Sequence, residues 1–139
     1  MTLSLVLLEI AAWLHLCQVP GTWFLGKRIV GLADELPRLS PLVGAIVMVL
    51  GVAVVAVLVG LGVLVGMHPS DILGTRFGLA LCGFLGLFWL ARLGVQFWYY
   101  FGFAWPRTRS ARAAHAALVS IFATQSFGYL GVWVLGVTV

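Results

Sequence analysis

A bundle of four transmembrane helices, running up-down-up-down, is the fold class this sequence predicts, and three observations predict it. Of 139 residues, 63% are hydrophobic and 9% are charged, with a mean hydropathy of +1.13. A soluble chain of this size must cover its core with polar side chains, and this composition leaves too few to do so. The apolar residues fall into four runs long enough for a bilayer, about 30 Å of hydrocarbon at ~1.5 Å per helical residue. The basic residues, which at net charge +4 could suggest a nucleic-acid surface, instead gather in two short connections between those runs, the pattern that sets membrane topology.

The first run, 3–19, carries Glu9 and His15. It is read as a helix and not as a cleaved signal peptide: no basic region precedes it, two ionisable residues interrupt it, and no small-x-small site follows. Pro20-Gly21 is expected to stop it, because proline lacks an amide hydrogen and disfavours helix in the residue before it. TWFLGKRIVGLA, from Thr22 to Ala33, mixes aromatic, aliphatic and basic residues as a short interfacial segment does. Ser40-Pro41 then has the form of an N-cap followed by proline at the first helical position.

The second run, 42–65, has no charged or amide side chain and contains two small-x-x-x-small pairs, Ala56/Gly60 and Gly62/Gly66, that would admit a close helix neighbour. Met67 to Arg76 is a polar turn. The third run, 77–103, is the distinctive one: Arg92 and Gln96 lie one helical turn apart, flanked by Phe88, Trp89, Tyr99 and Tyr100. A second basic connection leads to the fourth run, 114–138.

Lys27, Arg28 and Arg38 lie in the first connection and Arg107, Arg109 and Arg112 in the third, whereas the second holds Arg76 alone. This bias predicts both termini outside the cytoplasm of a cell's inner (plasma) membrane, with the basic connections inside. Depth along each helix then sorts the buried polar groups: His15, Arg92 and Gln125 fall roughly 16–21 Å from the outer boundary, and Glu9 and Tyr129 roughly 9–10 Å from it. These seven positions, Arg92, Gln96, Gln125, His15, Glu9, Tyr99 and Tyr129, are the candidate ligand-binding or buried polar residues.

Arg92 has two readings. It either snorkels to the inner headgroups, against the N-terminal tilt of helical side chains, or turns inward to meet Gln125, His15 or the anionic group of a lipid or ligand. Glu9 already leans toward the outer interface and has no second carboxylate at membrane depth to form a relay. His15 lacks a facing histidine for haem, and His68 with Asp71 falls short of a metal-ligand set. Cys17 and Cys82 differ by some 15 Å in depth, beyond disulfide reach. No phosphate loop, nucleophile elbow or zinc motif occurs, and Ser120, Thr124 and Ser126 have no adjacent base. No cofactor or metal is expected.

The strings LEIAAWLHL at Leu8 to Leu16, ELPRLSPL at Glu35 to Leu42 and LFWLARLGVQFWYY at Leu87 to Tyr100 resemble small bacterial four-helix integral membrane proteins without an assigned activity, in which tryptophan precedes an R-x-x-x-Q-x-x-x-Y pattern. The resemblance spans about a third of the chain and implies the same architecture. The expected function is that of a non-catalytic subunit or accessory/assembly factor of a membrane complex, with the lipid bilayer and a membrane protein or second copy as partners. The alternative is a small carrier or binding protein for a lipid-like, anionic or quinone-like ligand near Arg92. An enzyme ranks third, since no nucleophile and base can be paired.

Overall fold

The computed structural model describes residues 3–24, 36–102 and 108–137; for 22–24, 36 and 99–102 it describes the backbone alone. The described chain is all helical: α1 (Leu3–Phe24), a 3-10 turn (Leu36–Arg38), α2 (Pro41–Met67), a short α3 (Pro69–Gly74), α4 (Arg76–Gly102) and α5 (Arg109–Val137). The four long helices are each long and apolar enough to cross a membrane. The expected interfacial segment beyond Phe24, with Lys27 and Arg28, lies outside the described residues, as do Arg107 and the side chains of Tyr99 and Tyr100.

Local chemistry explains the helix ends. Ser40 Oγ accepts from the Val43 amide at 3.4 Å, and Pro41 occupies the first turn, where a missing amide hydrogen costs nothing. Thr108 does the same for α5, its hydroxyl accepting from Ala111 N at 3.1 Å, so α5 begins five residues before the apolar run does. Pro20 does not end α1: the helix continues through it to Phe24. A proline removes one backbone bond and strains the preceding turn, and this one falls in the helix's last turn and a half, where few later bonds depend on it. The polar turn after α2 folds into α3, with Thr75 Oγ donating to Asp71 O at 2.9 Å and accepting from Gly78 N at 3.0 Å as α4 starts.

Packing follows the spacing of buried residues. The buried side chains on α1 are Leu8, Ala11, Ala12, His15 and Gln18, and on α5 Phe122, Gln125, Ser126, Tyr129 and Val132, with Gly128 buried beside them. Both sets step i, i+3, i+4, i+7, i+10, one continuous face of a 3.6-residue helix. Gln125 and Tyr129 meet the α1 face, Phe122 and Ser126 meet α4, and α2 packs against α1. α3 closes one end with Ile72 buried against the core.

Small residues set the closest approaches, as they must where apolar surface alone gives helices no reason to prefer each other over lipid. A Cβ at Gly62 would lie 2.8 Å from the Leu16 side chain and 3.3 Å from Ala12 O; one at Gly86 would lie 2.7 Å from Leu130. Of the two small-residue pairs on α2, Gly62/Gly66 therefore faces α1, and Gly60 has nothing within 4 Å. Only Leu58, Gly62 and Val65 of the 27 residues in α2 are buried.

Candidate functional site

Polar side chains inside this bundle occupy two clusters, one fully enclosed by α1, α4 and α5 and one half-open between α4 and α5. The enclosed cluster is built on His15, Gln18, Gln125, Ser126 and Tyr129, all buried. Gln18 Nε2 donates to Gln125 Oε1 at 2.6 Å, joining α1 to α5. One turn earlier on α1, His15 Nδ1 donates to Ala11 O at 2.7 Å, and the Tyr129 hydroxyl lies 3.4 Å from the same nitrogen. Ser126 Oγ donates to Gly86 O at 3.1 Å, a bond across helices that the absent side chain of Gly86 makes room for.

Aromatic rings wall this cluster. The His15 ring meets Trp89 at a centroid distance of 5.4 Å and Tyr129 at 5.8 Å, both edge to face, and Trp89 stacks on Phe122 at 5.3 Å. Such pairs favour offset or edge-on geometry and add about 0.5–1.5 kcal/mol each beyond the area they bury.

The second cluster descends from Phe122. The Arg92 guanidinium carbon sits 5.2 Å from the Phe122 ring centre, and Arg92 donates to Gln96 Oε1 at 3.5 Å, a long bond. Gln96 is buried and its Nε2 lies 3.2 Å from His115 Nδ1. Arg92 itself is exposed. A cation over an aromatic face at an exposed position contributes about 0.5–1 kcal/mol.

The candidate residues are thus distributed as follows. His15 and Tyr129 come together, although simple depth counting separates them by about 9 Å, more than one and a half helical turns. Gln125 takes Gln18 as its partner, and Arg92 reaches Gln96 and Phe122. Glu9 is exposed and lines a groove of about 380 Å³ between α1 and α2 with Trp13, Leu16, Gly62 and Gly66. A second groove, about 440 Å³, is lined by Arg76, Leu79, Trp133 and Gly136. Neither groove touches Arg92 or the enclosed cluster.

Gln18, Trp89, His115 and Phe122 complete these clusters without having been singled out as site residues. Depth alone would not have paired Gln18 with Gln125, since counting ~1.5 Å per residue from the outer boundary places it about 7 Å deeper. His68 Nδ1 lies 3.2 Å from Asp71 Oδ2 on the exposed turn, and no group of three metal-ligating side chains occurs among the described residues. Cys17 is exposed and Cys82 buried, both as free thiols.

These arrangements offer hydrogen bonding and a cation on an open face. Among the described residues they contain no nucleophile beside a base. Comparison of the chain with family models, with curated proteins and with solved structures finds no match.

Proposed function

We propose that this chain is a multi-pass protein of the bacterial inner membrane, a non-catalytic subunit or accessory/assembly factor that offers a lipid-embedded helix surface to a larger complex. The observation that carries the reading is α2. It has no charged or amide side chain, it packs on α1 along one line of small residues, and all but three of its residues remain unburied by its own chain. A helix so apolar all round belongs in lipid or against another membrane helix.

An up-down-up-down path is supported by the contact register. Gly62 meets Leu16 while Gly66 meets Ala12; Gly86 meets Leu130 while Gly83 meets Trp133; Gln18 pairs with Gln125 while the earlier His15 pairs with the later Tyr129. In each pair the numbers run in opposite directions. The excess of basic residues in the first and third connections supports termini outside the cytoplasm.

Photo-reactive residues placed at Val52 and Val59, exposed on α2, test the reading in the native membrane. A single stoichiometric protein cross-linked at both positions, and retained in native mass spectrometry from detergent, is the expected result. Cross-links to lipid alone would overturn the subunit reading.

One observation favours the second reading, a carrier of an anionic, lipid-like or quinone-like ligand. The Arg92 guanidinium has five N–H donors and one long bond, to Gln96, so it keeps donors for an anion. A small molecule that co-purifies and is lost in Arg92→Leu would select this reading.

A further inference from the structure

Three buried polar atoms on three helices have no hydrogen-bond partner among the described residues: His15 Nε2 on α1, Trp89 Nε1 on α4 and Gln125 Nε2 on α5. Their residues are 0%, 4% and 0% exposed. Neighbour contacts link the three residues. The rings of His15 and Trp89 are 5.4 Å apart, Trp89 stacks on Phe122 one turn before Gln125, and Tyr129 one turn after Gln125 reaches His15 at 3.4 Å.

Their chemistry is complementary to one small molecule. A backbone carbonyl can only accept, so the 2.7 Å contact with Ala11 O places the ring proton of His15 on Nδ1 and leaves Nε2 a bare lone pair. The indole nitrogen of Trp89 only donates, and the amide nitrogen of Gln125 only donates. The set is therefore one acceptor and two donors. An anion would satisfy the donors but face the lone pair of His15; a metal cation would bind that lone pair but face two N–H groups; a quinone carbonyl has no proton to give. Water accepts twice and donates to the third.

We propose that His15 Nε2, Trp89 Nε1 and Gln125 Nε2 share a single internal water that bridges α1, α4 and α5. It accepts from Trp89 and Gln125 and donates to His15, joining the Gln18–Gln125 pair and the His15–Tyr129 pair into one hydrogen-bonded unit. Three helices are then tied at a single point by groups that two-helix contacts leave unmet.

Solid-state NMR of the full ¹³C,¹⁵N-labelled chain in liposomes tests this, with the side-chain signals of Trp89, His15 and Gln125 assigned by through-bond correlation from their own backbones. The expected result is an unprotonated Nε2 on His15, together with magnetisation transfer from water to both the Trp89 indole N–H and the Gln125 amide. That transfer should disappear in His15→Phe and persist in Tyr129→Phe, which excludes relay through the tyrosine hydroxyl. A protonated Nε2, a through-bond coupling from Trp89 Nε1 to His15 Nε2, or no transfer to the indole would each overturn the proposal. The wild-type spectrum alone can deliver any of these, so the test does not depend on a variant folding.

Discussion

Gln18 and Gln125, 107 residues apart, form a 2.6 Å side-chain hydrogen bond between α1 and α5, on buried faces that also carry His15 and Ser126 among apolar and aromatic residues. Because both are buried, the bond's weight lies mostly in what its loss would leave behind. Gln18→Leu strips Gln125 Oε1 of its donor, and an unmet buried acceptor costs about 1–3 kcal/mol. Gln125→Leu does the same to Gln18. The double variant removes both groups, so it should be less damaging than the sum, with a coupling of about 0.6–1.7 kcal/mol in unfolding equilibria measured in micelles. Additivity to within about 0.3 kcal/mol would remove this bond from the account of stability.

The α1–α2 contact gives a prediction with an internal control. Gly62 meets Leu16 and the Ala12 carbonyl, so Gly62→Leu must push the helices apart or displace Leu16, costing about 1–3 kcal/mol. Gly60 lies two residues away on the same helix and meets nothing. Gly60→Leu should change stability by no more than about 0.5 kcal/mol. Equal losses at both positions would mean that the outward face of α2 is itself a packing surface, and would direct attention to a partner there.

Arg92 separates its two readings by substitution. Lysine keeps the cation that lies over Phe122 but loses the planar fork that grips a carboxylate or phosphate. If the cation contact is the main role, Arg92→Lys matches wild type and Arg92→Leu loses at most about 1 kcal/mol, offset by taking a charge out of a membrane span. Since Gln125 Oε1 accepts from Gln18 while Arg92 donates to Gln96, Arg92→Leu and Gln125→Leu should combine additively to within about 0.3 kcal/mol. Larger coupling would place the arginine inside the enclosed cluster.

Much of the helical architecture was legible in the sequence because it depends on quantities a sequence states directly: run length, composition and cap chemistry such as Ser40-Pro41. What was not legible is rotation. Depth can be counted from the ends of an apolar run, but which neighbour a side chain meets depends on how each helix turns about its axis. α2 shows why: with no polar residue to mark a face, only the contact of Gly62 with Leu16 reveals which of its two small-residue pairs is used. Gln18 lies inside the run 3–19, but depth sets it about 7 Å deeper than Gln125, so only the stagger of the helices shows them to be partners. The pairing of His15 with Tyr129 needed the actual stagger of α1 against α5, which boundary errors of two to four residues conceal.

Orientation in the membrane rests on an asymmetry of charge, and two engineered thiols can test it. Arg76 and Arg109 are both exposed, and α4, 27 residues from Arg76 to Gly102, is the one long helix between them. At ~1.5 Å per residue it spans about 40 Å, more than the ~30 Å of hydrocarbon, so if α4 crosses the bilayer these two positions lie on opposite sides. Cys17 is exposed and must first be replaced, for example by Cys17→Ser; Cys82 is buried and can stay. In that background the proposed orientation requires Arg76→Cys to react with an impermeant maleimide in intact cells. Arg109→Cys should react only once the cytoplasmic face is opened, since the third connection carries Arg107, Arg109 and Arg112. The reverse pattern would invert the orientation while keeping the four spans. Labelling of both positions from one side would mean that α4 does not cross, and would remove the bilayer reading of the most distinctive helix in the chain.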